Sequence, residues 1–145
     1  MRGITLLTAL TTTTIYLVII LGAYTRALGA GMACGPDWPT CNGYIIPPNL
    51  LNPFVLLEYS HRVSAMLAGI FTITTTAYAW TRHRGEKAVT GLATLTLALL
   101  VIQILIGMIV VKLHLEAISS ATHLATATAT FGAATATLTT TLRKR

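Results

Sequence analysis

Charge is what this chain has least of: Asp, Glu, Lys and Arg make up 10% of its 145 residues. Acid is scarcest, limited to Asp37, Glu58, Glu86 and Glu116. With 54% hydrophobic residues and a mean hydropathy of +0.71, such a chain belongs with membrane proteins before any motif is considered. It has no polar stretch long enough for a separate soluble domain. Two cysteines, Cys34 and Cys41, are too few to hold a metal by themselves. A net charge of +6 could suggest nucleic acid, but the basic residues sit at the ends of apolar runs, where they set topology and meet lipid head groups. No nucleic-acid partner is expected.

What is there is a set of long apolar runs. A bilayer core takes about 20 apolar residues per helix, and four such spans fill residues 1–145 as one domain: about 4–24, 54–80, 88–112 and 117–142. Arg2, the first apolar run and Gly31-Met32-Ala33-Cys34 share features with a lipoprotein signal. Arg26 interrupts that pattern, the run is too long, and further spans follow, so it reads as a retained helix. A loop over 27–53, rich in Gly and Pro, holds both cysteines, and Asn52-Pro53 is a helix start signal. Basic clusters at Arg2, at Arg82/Arg84/Lys87 and at Arg143-Lys144-Arg145 alternate with the other two loops. The positive-inside rule then places the chain in the cell membrane as a multi-pass protein, both termini cytoplasmic and the cysteine loop external. The fold class is all-α, an integral membrane up-down-up-down four-helix bundle.

Span four alternates alanine and threonine over 125–130, which mimics a strand period. A lone strand would leave backbone groups unsatisfied in lipid, whereas a helical threonine can bond a carbonyl one turn back. Ala121, Ala125, Ala129 and Gly132 are the small residues expected to let span four pack closely on its neighbours.

Ionisable groups inside spans are costly and usually serve a function. Glu58, His61 and Arg62 open span two, and His123 lies early in span four. Glu58 and His61, three apart, share a helix face. His61 lies roughly 12 Å along its helix at 1.5 Å per residue, and His123 lies a comparable distance past the turn at 113–116. Spans two and four run parallel and sit diagonally in such a bundle, so the imidazoles reach similar depth. Facing histidines on bundle helices suit one heme iron; another metal, or interfacial histidines without a cofactor, are the other readings. His83 and His114 fall in loops. Glu58 suits an anchor pairing with Arg62, a hydrogen-bond partner for His61, or a proton-moving carboxylate. Arg26 and Arg62 suit heme propionates, or simply the interface. An external Cys34–Cys41 pair suits a disulfide, as a staple or as a redox pair.

Gly22-Ala23-Tyr24-Thr25-Arg26, Gly29-Ala30-Gly31 and Cys34…Trp38-Pro39-Thr40-Cys41-Asn42-Gly43 resemble the first-helix and outer-loop signature of the heme A synthase family. Glu58-Tyr59-Ser60-His61-Arg62 is similar to its glutamate–histidine–arginine motif, and Gln103-Ile104-Leu105-Ile106-Gly107 and His123-Leu124 to its later helices. The resemblance implies oxidation of the heme O methyl group to a formyl group through a hydroxymethyl form, giving heme A for terminal oxidases. It implies His61 and His123 as axial ligands, Glu58 as the catalytic carboxylate, and Cys34 and Cys41 as the outer-loop pair. Contacts with a heme O synthase or a terminal oxidase would follow. Typical members carry two such four-helix halves, one for substrate heme and one for a heme b cofactor, and this chain resembles the substrate-side half. A homo-oligomer, first of all a homodimer, is the expected way to supply the other half; the alternative is a monomer in which the second heme is dispensable. The rival function is a small bis-histidine b-type cytochrome, or a heme-delivery subunit without oxidation chemistry.

Overall fold

The structure is a computed structural model that describes residues 1–144; Arg145, the last of the C-terminal basic cluster, lies outside the described residues. Four helices account for most of it: α1 (Arg2–Ala27), α2 (Pro53–Arg82), α3 (Lys87–Lys112) and α4 (Ala117–Arg143). The stretches read from hydropathy fall inside these helices. Asn52 starts α2 as its N-cap, its side chain accepting from the Phe54 N–H at 3.0 Å, with Pro53 in the first turn where its missing N–H costs nothing. His114 and Leu115, both at positive φ, reverse the chain between α3 and α4 within a few residues. The short α2–α3 and α3–α4 connections make those neighbours antiparallel, and the long loop returns the chain from α1 to α2 at the same end. Each helix packs on two others, α1 and α3 both lying between α2 and α4, so α2 and α4 face each other across the diagonal.

The chain is organised for lipid rather than for water. Large apolar side chains such as Leu6, Leu17, Met66, Ile70, Ile73, Val101, Leu105 and Leu124 point outward, while the buried positions are mostly threonine and alanine. Helices α1, α2 and α3 are long and apolar enough to cross a membrane. Helix α4 is less apolar because of its threonines, and takes its place by packing against α1 and α3. Most threonine hydroxyls donate to a carbonyl one turn back, as Thr72 does to Ala68 at 2.7 Å, so they enter the interior already satisfied. Several then bridge helices: Thr11 to Thr75 at 2.8 Å, Thr8 to Thr141 at 3.2 Å, and Thr76 to the Ala93 carbonyl at 3.1 Å. Thr8, Thr72, Thr96 and Thr137 help line a cavity of about 10 Å³, close to the room one water needs.

The packing face of α4 differs from the sequence expectation. Ala121, Ala125, Ala129 and Gly132 are exposed, and the buried stripe is Ala127, Thr130, Ala134, Thr137 and Thr141. Threonine, self-satisfied in a helix, is buried as readily as alanine, so small size alone picked the wrong side of the helix. His123 is four residues before Ala127 and continues the buried stripe toward the loop end of the bundle.

Candidate functional site

At the loop end, Cys34 and Cys41 are joined by a disulfide, with both side chains buried against Val55. The ring they close is pinned to α2 by two charged side chains. Glu58, 3% exposed, accepts the Cys34 N–H at 2.7 Å on one carboxylate oxygen and an Arg62 N–H at 2.6 Å on the other. The Arg62 guanidinium then fans across the loop and donates to the carbonyls of Gly35, Asp37 and Thr40. One turn of helix thus supplies both halves of a clamp, because residues four apart stack on the same face. A guanidinium with four N–H bonds inside the protein does not need a second anion, so the clamp accounts for Arg62 without a propionate. Arg26 is exposed and donates to the Leu115 carbonyl at 3.2 Å, tying α1 to the α3–α4 turn.

His61 turns away from the clamp, toward α1. Its Nδ1 lies 3.1 Å from the Val18 carbonyl oxygen, which can only accept, so Nδ1 carries the proton and Nε2 presents its lone pair. Val18, not Glu58, therefore holds the second nitrogen of this ring. Such a backbone partner is the usual way a metal-binding imidazole is fixed in tautomer and direction. The ring reaches that carbonyl because Gly22 has no side chain: a Cβ there would stand 2.8 Å from His61 Cε1.

His123 is held by α3 in the same way. A Cβ on Gly107 would stand 3.0 Å from His123 Cε1, and Gln103, one turn earlier, has its amide nitrogen 3.2 Å from His123 Nε2. The Nδ1 of His123 and the Oε1 of Gln103 are buried without a hydrogen-bond partner among the described residues. The two imidazoles are thus carried on the diagonal helices α2 and α4. His83 sits at the far end of α2, 5.7 Å from the Tyr78 ring, and His114 is in the α3–α4 turn; neither joins them.

Among the described residues no three His, Cys, Asp or Glu side chains are grouped to hold a metal ion. A bare ion needs about that many protein ligands. Heme iron takes four nitrogens from its own macrocycle and at most two axial ones from the protein, so two histidines on the diagonal helices fit heme. The unpartnered Nδ1 of His123 marks a ring whose bonding capacity is not used up inside the protein. Sequence reasoning missed the Val18 carbonyl and the roles of Gly22, Gln103 and Gly107. The signal was available: in α1 and in α3, a glycine four residues after a hydrogen-bonding position stands level with a histidine.

Fold and site together define a membrane four-helix bundle with a histidine pair on its diagonal helices and a clamped cysteine loop at the same end. The family model for COX15-CtaA, described as cytochrome oxidase assembly protein, matches residues 5–53 and 51–145. The chain belongs to that family. It is 37% identical over 97 residues to a heme A synthase of Geobacillus kaustophilus, covering 67% of this chain and 30% of that protein. It is 31% identical over 114 residues to one of Bacillus licheniformis, covering 79% and 37%. With one of Bacillus cereus strain AH187 it shares 33% over 106 residues, covering 73% and 34%. The chain spans about a third of the length of these relatives.

Proposed function

We propose that this chain binds heme O between His61 and His123 and serves the oxidation of its methyl group to the formyl group of heme A. The observation that carries this reading is the hold on His61, whose Nδ1 is committed to Val18 so that Nε2 is left to coordinate. The family and the similarity to heme A synthases support heme as the group concerned. Bound heme would supply the redox-active iron. The chain's own work would be to orient: His61 and His123 would hold the heme between α2 and α4.

Glu58 and Arg62 act on the site through the loop. They seat the disulfide ring over the same end of the bundle. Arg26, with donors to spare beyond its bond to Leu115, is the guanidinium proposed for a propionate. The basic clusters around Arg2, Arg82, Arg84 and Lys87 lie at the opposite end from the loop, which supports an external loop and cytoplasmic termini.

The test is to express the chain in a host that makes heme O, purify it, and extract the heme for mass spectrometry. Formyl heme from the wild type and none from His61→Ala is the expected result. Bound but unaltered heme in both would leave a bis-histidine electron carrier in place of the enzyme.

A further inference from the structure

The two histidines are held alike by their glycines and oppositely by their hydrogen bonds. His61 is tied at Nδ1, the nitrogen next to the ring's own attachment and the more hindered of the two. His123 is tied at Nε2, the open nitrogen through which an imidazole can approach a macrocycle. Gln103 makes that tie. If its amide N–H donates, the Nε2 lone pair is taken; if the amide is turned, Nε2 carries a proton given to Oε1 and has no lone pair to offer. A bond to Gln103 and a bond to iron therefore exclude each other at this atom.

Gln103 is also an expensive residue where it stands. It lies in an apolar membrane helix, its Oε1 is buried without a partner among the described residues, and His123 is the one side chain its amide bonds. A buried amide left half satisfied costs more than a leucine of the same size.

We propose that Gln103 is a positioning residue that caps the ligating nitrogen of His123, making His123 the releasable ligand and His61 the fixed one. The proposal rests on the bis-histidine heme reading and adds a direction to it. Heme O and heme A, as substrate and product, must both come and go, and a ligand with a competing partner on the neighbouring helix lowers the cost of letting go. Gly107 lets the ring lie close against α3, within reach of Gln103.

The experiment follows hemin leaving the full-length chain in lipid nanodiscs, captured by excess heme-scavenging protein. Gln103→Leu should slow release about fivefold, the worth of one neutral hydrogen bond. Gln103→Asn, too short to reach, should do the same, and neither change should matter on a His123→Ala background. Release from Gln103→Leu at the wild-type rate or faster, with His123 still ligated, overturns the cap. Without any heme, ¹⁵N NMR of labelled histidine supplies a second readout: the His123 Nε2 resonance should move in Gln103→Leu, and an unmoved resonance also overturns it. If His123→Ala leaves the spectrum of bound heme unchanged, the ligand assignment itself has failed, and the cap falls with it.

Discussion

The His61 ring lies on the bare backbone of Gly22, so close that a Cβ at that position would stand 2.8 Å from Cε1. Contact at that range forces something to shift, and the Val18 carbonyl, one turn earlier on the same helix, already holds the ring at Nδ1. Gly22 therefore trades helix propensity, about 1 kcal/mol against alanine, for the approach of an imidazole to a neighbouring backbone. The Gly107–His123 contact repeats the arrangement between α3 and α4.

Gly22→Ala should accordingly keep or raise helicity while displacing His61. We expect heme affinity to fall about tenfold, equivalent to one weakened ligand at about 1.4 kcal/mol, with circular dichroism unchanged. Spectral titration with heme provides the measurement. Wild-type affinity in Gly22→Ala would show that the ring has room to spare.

The clamp predicts a graded response at Glu58. Glu58→Gln retains an acceptor for the Cys34 N–H but loses the charge facing Arg62, whereas Glu58→Ala loses both. Amide exchange at Cys34 should quicken modestly in the first and strongly in the second, with activity declining in step. A loss of at least about tenfold in Glu58→Gln with the Cys34 amide still protected would instead mark a proton-transfer group, since such catalysis contributes roughly 10²–10⁴.

Removing Arg62 should be worse for stability than either change. Arg62→Leu leaves the Glu58 carboxylate buried without its cation and frees the Gly35, Asp37 and Thr40 carbonyls. Breaking a buried pair in this way costs about 3–5 kcal/mol. Thermal unfolding in detergent, together with protease cutting within the loop, reads it out. A melting temperature within a degree or two of wild type would contradict the clamp.

The threonine interior predicts small, additive effects. Thr11→Val removes the bond to Thr75 but leaves an equal volume, and should cost about 0.6 kcal/mol, the average for polar pairs between membrane helices. Thr8→Leu adds bulk to a position 2% exposed and should cost about 1–3 kcal/mol. Denaturation of the two variants side by side separates hydrogen bonding from packing.

Helix number, order and approximate extent were legible because long apolar runs broken by a Gly- and Pro-rich loop and by basic turns leave few other readings in a bilayer. The diagonal placement of His61 and His123 followed from chain order alone. What the sequence hid were directions. Glu58 and His61 share a helix face by spacing, yet Glu58 reaches the loop at Cys34 and His61 reaches α1 at Val18. The buried stripe of α4 was misread at Ala121, Ala125, Ala129 and Gly132 because helical threonine hides its hydroxyl against its own backbone. Val18 was invisible because a main-chain carbonyl carries no residue signature. Gln103 and Gly107 were readable as a resemblance and not as a cradle.

Optical and resonance Raman spectra of the heme-loaded chain decide whether His61 and His123 are, as proposed, the two axial ligands of one heme. Wild-type protein should show a six-coordinate low-spin heme. His61→Ala and His123→Ala should each convert it to a high-spin or five-coordinate form, because either loss opens one axial position. Unchanged low-spin bands in both variants would contradict the account.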